Sequence, residues 1–226
     1  MSDQGNFASA TLKPGESYSF TFKAAGKYPY HDGLHPALKG SVTVTGPPPE
    51  VTLSAGAAIL GYGGRTTLTG NVSSGDANDL VVITSNPFGA AAQQTATVTT
   101  GAGATTPTRS TRRSRRRTAT WKATKSQSVT ILVRPKVTLT RITGTRLSNK
   151  VRSSISYSGR YAFLQRRTSV GWITVKRLYL GPGSGRIFKA PRARGTRTYR
   201  VYLTRGQAGG GYLDSWSNSV RVHYIR

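Results

Sequence analysis

From end to end this chain alternates apolar with polar residues at a period of two, and no stretch carries the i, i+3, i+4 apolar spacing of an amphipathic helix. Tyr18, Phe20 and Phe22 alternate with Ser17, Ser19, Thr21 and Lys23, and Val42 and Val44 with Ser41, Thr43 and Thr45. The pattern returns in Val129-Ile131-Val133, Tyr199-Val201-Leu203 and Val220-Val222-Tyr224. Strands of this kind set one face on a core and leave the other in water. Clusters of Gly, Pro, Asn and Asp separate them, so the expectation is an all-β chain.

Two boundaries follow from composition and self-similarity. Pro47-Pro48-Pro49 is a stiff spacer that no sheet interior accepts, which predicts a linker over 47–50 after an N-terminal unit of residues 1–46. Pro49-Glu50-Val51-Thr52-Leu53 then recurs as Pro135-Lys136-Val137-Thr138-Leu139, and Ser126-Gln127-Ser128-Val129 is echoed by Ser217-Asn218-Ser219-Val220. The repeat predicts two units, 51–135 and 136–226, each opening on a Val-Thr-Leu strand and closing on a Ser-x-Ser-Val strand. Their size is that of an immunoglobulin-like sandwich. Tyr62-Gly63-Gly64-Arg65-Thr66-Thr67-Leu68-Thr69-Gly70 resembles the opening of the immunoglobulin-like repeats of bacterial secreted and cell-surface proteins. Tyr161 to Arg167 followed by Gly171-Trp172-Ile173-Thr174-Val175 resembles their central hairpin. The resemblance implies spacers or stalks that bind glycans or proteins, with Trp121, Trp172 and Trp216 as core or hairpin packing residues.

The N-terminal unit carries a second resemblance. Phe7 to Phe22 includes a Pro14-Gly15 turn and an aromatic strand, and Tyr28-Pro29-Tyr30-His31-Asp32-Gly33-Leu34-His35-Pro36-Ala37-Leu38-Lys39-Gly40 follows. This stretch resembles the C-terminal half of a plastocyanin- or amicyanin-like cupredoxin, which implies a partial Greek-key sandwich. In that family the loop supplies Cys, His and Met ligands to copper. Here Asp32 stands at the Cys position, His35 at the second-His position and Leu38 at the Met position. A blue-copper centre needs a thiolate, so what the resemblance leaves is Asp32, His35 and His31 as weak ligands, with either no cofactor or loosely bound copper. The family's first His and initial strands precede the Phe7 region, so Met1 is expected to be an internal start or the gene truncated.

Charge divides the chain. Residues 1–106 carry five basic and six acidic side chains, whereas residues 107–226 carry 28 basic and a single acidic one, Asp214, for a net +27. Such a field attracts polyanions without specificity. Within 104–120 the sequence contains only Ala, Thr, Pro, Arg and Ser, where the repeat should supply a strand with large apolar residues. Three readings stand side by side: a polyanion patch through Arg112, Arg113, Arg115, Arg116 and Arg117, a disordered basic loop, or a stretch read out of frame. Arginines at 141, 152, 166, 167, 177, 200 and 221 should meanwhile share solvent faces of the last unit.

Enzyme signals are poor. Zero cysteines exclude thiolate catalysis and Cys-based zinc, and the lone Asp214 excludes paired-carboxylate hydrolysis in the last unit. Gly181-Pro182-Gly183-Ser184-Gly185 has no helix after it and predicts a hairpin turn, and His223 alternates outward. No apolar run reaches the ~18–20 residues of a membrane span. The expectation is a non-enzymatic, extracytoplasmic bacterial protein held to an anionic envelope polymer or glycan. Copper-binding electron transfer and non-specific polyanion binding, nucleic acid at low salt included, are the alternatives.

Overall fold

The computed structural model describes residues 1–23, 25–47, 49–74, 79–101, 106–108, 114–121 and 124–224. Strands dominate, and the described residues contain a single short helix.

The third unit is a complete two-sheet sandwich. One sheet orders β12 (Lys136–Thr143), β13 (Arg146–Arg152) and β16 (Gly185–Lys189) side by side. The other runs β15 (Gly171–Tyr179), β14 (Tyr161–Thr168), β17 (Gly195–Leu203), and β17 pairs in turn with β18 (Ser215–Trp216) and β19 (Val220–Tyr224). Every pairing in it is antiparallel. The alternation explains the core: Leu139, Leu147, Leu164, Leu178, Tyr199, Val201, Leu203 and Val222 are buried from both sheets, with Tyr157 and Leu180 between them. The 181–185 turn carries the chain from one sheet to the other, with Ser184 at φ 60 and its Oγ accepting from Tyr157 N at 2.8 Å. The helix, α1 (Arg205–Ala208), follows β17 and is capped by Thr204.

The second unit follows a related plan, with one added strand paired parallel to its last. β3 (Ser54–Ala55), β5 (Thr66–Thr69) and β8 (Thr106–Thr108) form one sheet. β4 (Ile59–Gly61), β11 (Val129–Arg134), β9 (Arg115–Trp121), β6 (Leu80–Pro87) and β7 (Gln93–Thr99) form the other, with β10 (Thr124–Lys125) against β9. Leu60, Leu68, Val81, Ile83, Ala119, Trp121 and Ile131 fill the space between. Trp121 is a core residue, as expected, and its Nε1 donates to Asp79 Oδ2 at 2.9 Å.

The repeated Ser-x-Ser-Val is one device used twice. Ser126 Oγ accepts from Ala119 N (2.9 Å) and donates to Gln127 O (2.9 Å), while Ser126 N donates to Ala119 O (2.8 Å). Ser217 Oγ accepts from Val201 N (2.8 Å) and donates to Asn218 O (2.6 Å), while Ser217 N donates to Val201 O (2.9 Å). In each sandwich the serine ties the last strand to its neighbour, so Ala119 is the counterpart of Val201 and Arg117 of Tyr199.

Pro135 alone separates β11 from β12. Val133 belongs to the core of the third unit, Leu213 N donates to Val133 O at 2.9 Å, and Ser215 Oγ donates to Pro135 O at 2.6 Å. Arg134 binds Asp214 Oδ1 at 3.0 Å. Phe88 lies against the backbone of Gly210 and Gly211, so close that a Cβ on Gly210 would meet its ring at 2.6 Å.

The N-terminal unit departs from expectation. Its described residues form one antiparallel pair, β1 (Gly26–His31) with β2 (Lys39–Val44), and not a partial sandwich. Residues 17–23 form no strand, although Phe20 and Phe22 pack on Phe7 at 5.0 and 5.7 Å. Alternation brought these rings to one side, but a strand exists only where a second backbone accepts its hydrogen bonds.

Candidate functional site

The outward face of the sheet β15-β14-β17-β18 in the third sandwich is built by the same alternation that fills its core. β17 sends Tyr199, Val201 and Leu203 inward, so Arg200 and Tyr202 point out. Register puts Phe163 opposite Tyr202 and Gln165 opposite Arg200 on one side, and Trp216 opposite Tyr202 on the other. Trp172 pairs with Arg167 across the β14–β15 hairpin.

These side chains interleave. The Arg200 guanidinium stands 4.3 Å from the Trp172 ring and 5.7 Å from Trp216, Arg167 stands 5.6 Å from Trp172, and Arg134 stands 5.0 Å from Trp216. Tyr202 stacks on Trp216 at 5.2 Å. Further along the hairpin, Arg177 lies 4.6 Å over Tyr161, which meets Phe163 edge-on at 5.4 Å. Such cation–π contacts restrain long side chains that would otherwise sample many rotamers.

The charges on the face are poorly balanced. Asp214 holds Arg134 and accepts from Tyr202 at 3.3 Å, and the 107–226 segment has no other acid. Arg200 Nε donates to Gln165 Oε1 at 2.8 Å. Partial burial, then the like charge of Arg167, pulls the Arg200 guanidinium below its ordinary value. An anion placed here would relieve that repulsion. Trp172 and Trp216 therefore do not pack in a core: Trp216 is 40% exposed and Trp172 half-buried. The signal was in the parity of β17, where an outward Arg between inward Tyr199 and Val201 needs outward rings beside it to be ordered.

The basic patch expected from the sequence is described only in part. Arg112 and Arg113 lie outside the described residues. Arg116 is exposed and Arg115 half-buried. Arg117 turns inward with Ala119 and Trp121 and is 3% exposed, so it offers nothing to a partner at the surface. Its Nη1 donates to Thr95 Oγ1 at 2.7 Å, while its Nε, the Nε of Arg115 and Ser85 Oγ are buried with no partner. Ser85 lies directly opposite Arg117 in the sheet. Burial, and then Arg115, pulls the Arg117 guanidinium down to about 10.

Among the described residues, the loop from His31 to Leu38 does not assemble a ligand set. His31 Nδ1 is engaged by Asp3 Oδ1 at 2.5 Å, and His35 Nδ1 by Asp32 Oδ2 at 3.3 Å. Asp32 Oδ1 accepts from Leu34 N at 2.8 Å and Asp32 N donates to Leu38 O at 3.0 Å, so the aspartate closes its own loop. The Leu34 amide, followed by His35, holds the Asp32 carboxyl below its usual range. Leu38, at the position of the family's thioether ligand, is 63% exposed and offers no donor atom. Among the described residues no three or more His, Asp or Glu side chains gather where a metal ion would sit. This donor set does not fit a blue-copper centre.

Strand order and the two cores define a tandem β-sandwich protein of the immunoglobulin-like class. No protein-family profile matches the chain, and no curated protein sequence matches it. Among solved structures it is similar to the tetra-tandem repeat in the extending region of a large adhesion protein, at 15% identity over 88% of this chain and 57% of that one, with a TM-score of 0.38. The FN1–FN3 domains of chicken CNTN1 follow at 12% identity, covering 90% and 77% of the two chains, with a TM-score of 0.28. Murine CEACAM1b gives 13% identity, 78% and 100% coverage, and a TM-score of 0.26.

Proposed function

We propose that this chain is a non-catalytic, extracytoplasmic protein whose sandwich modules space it from an anionic envelope and whose third sandwich adheres to an anionic polymer there. The observation that carries this reading is the outer face of the third sandwich, where Arg167, Arg177 and Arg200 are held over aromatic rings with no acid of their own. The surrounding +27 supplies long-range attraction, and the fixed guanidiniums supply short contacts. The placement outside the cytoplasm rests on the resemblance of the two repeats to secreted and cell-surface modules. Copper has no part in the reading, because the loop holds no thiolate and no three metal-ligating side chains gather among the described residues.

Titration of the full chain against heparin at about 50 and about 200 mM salt tests the reading, since displacement of counterions makes such binding collapse steeply over that range. Absence of binding at the lower salt removes it.

A further inference from the structure

The end of the third sandwich that lies away from the Pro135 joint carries an apolar tip ringed by cations. β12 leaves the joint and runs to Thr143, so its turn into β13 lies at the far end. Lys189 of β16 pairs with Arg146 beside that turn, and Ala190 N donates to Thr145 O at 2.9 Å, so β17 starts from the same end. β17 runs antiparallel to β14, with Tyr199 opposite Arg166, and this brings the β14–β15 turn there as well.

Past Arg166 that hairpin stands clear of its sheet. β14 pairs with β17 only from Phe163 to Arg166, while its pairing with β15 continues through Arg167–Trp172 to Thr168–Gly171. In the turn Val170 is 91% exposed, more than any other large apolar side chain among the described residues. Ile173 is exposed and Trp172 half-buried on the rungs behind it, and Ile142, beside the neighbouring turn, is exposed too. Arg146, Lys189, Arg192, Arg194 and Arg197 are exposed around the same end, and Arg167 stands 5.6 Å from the Trp172 ring. The one acid of the 107–226 segment, Asp214, is held at the joint by Arg134.

We infer that this end docks on an anionic lipid surface, with Val170, Trp172 and Ile173 entering the headgroup boundary and the surrounding cations meeting lipid phosphates. The charge is shared with the polyanion reading above; the apolar tip goes beyond it. A hydrated polysaccharide gives an aliphatic side chain held out in water nothing to enter. Nucleic-acid bases need open aromatic faces, whereas guanidiniums stand over Trp172. An anionic bilayer takes both parts, since basic side chains are drawn to its surface and indole and aliphatic groups settle at its interface.

The test is cosedimentation of the full chain with vesicles of phosphatidylcholine containing about a quarter phosphatidylglycerol, beside vesicles of phosphatidylcholine alone. Lipids brominated in their acyl chains report insertion by quenching tryptophan fluorescence. Wild type is compared with Val170→Ser, Trp172→Phe and Ile187→Ser, the last an exposed apolar residue on the opposite sheet, and melting curves confirm the fold of each. The anionic vesicles are expected to bind the chain and quench it, with the quenching lost in Trp172→Phe. Val170→Ser is expected to weaken vesicle binding about fivefold and leave heparin binding unchanged, and Ile187→Ser to change either by less than twofold. Vesicle binding that is indifferent to Val170→Ser, or quenching that survives Trp172→Phe, overturns the docked tip. Binding to heparin without binding to the anionic vesicles also overturns it and leaves the polyanion reading standing, whereas failure to bind either at low salt removes both.

Discussion

Replacing Arg117 by Leu should stabilise the second sandwich. The arginine occupies the position that Tyr199 fills in the third unit, 3% exposed, with one hydrogen bond to Thr95, an orphaned Nε and the orphaned Ser85 Oγ across from it. A buried donor without a partner costs about 1–3 kcal/mol, and an unpaired buried cation more. The loss of the Thr95 bond, and the solvent reaching that exposed threonine, offset part of the gain. The net expectation is about 2 kcal/mol in favour of Leu, which for a domain of this size raises its melting temperature by about 10 °C. The pH dependence carries the sign. Because burial pulls the folded guanidinium down to about 10 while the unfolded one keeps its higher ordinary value, the unfolded chain holds the extra proton between the two. Wild-type stability should therefore rise with pH in that window, and the advantage of Arg117→Leu should shrink there and be full below pH ~10. Scanning calorimetry on both proteins from neutral to alkaline pH reads the gap. A Leu variant that melts lower than wild type, or a gap indifferent to alkaline pH, would refute the view of Arg117 as an uncompensated buried cation.

Two further outcomes follow from the packing. Ser126→Ala and Ser217→Ala each remove an acceptor for a buried strand amide and should cost about 1–2 kcal/mol apiece in urea denaturation; a cost near zero in either would break the equivalence of the two closing strands. Gly210→Ala should drive the half-exposed Phe88 ring out of the junction and speed hydrogen exchange at the Leu213 amide, leaving the exchange of Val201 and Ala119 as it was; unchanged Leu213 protection would show that Phe88 does not brace that joint.

The all-β class was legible because alternation reports burial directly, and strands over Val129–Val133, Tyr199–Leu203 and Val220–Tyr224 stand where they were expected. What escaped has a common cause. Period-two patterning says which residues share a face, but neither which face is inside nor whether a partner strand is present. Phe20 and Phe22 share a side without belonging to a sheet. Arg117 was grouped with its exposed neighbours by charge, although its parity with Ala119 and Trp121 marked it as inward. Trp172 and Trp216 were expected in a core or a hairpin; Trp172 does sit in the β14–β15 hairpin, and only the cross-strand register brings arginines over both rings.

The joint at Pro135 has a mechanical consequence. β11 passes into β12 through one residue, and its carbonyls at Val133 and Pro135 are clasped by Leu213 and Ser215 of the next sandwich. A pull applied along the chain thus meets no slack linker between the two modules; it travels from one sandwich straight into the next. The second sandwich, with its misfit arginine, is the one expected to yield first under such a pull.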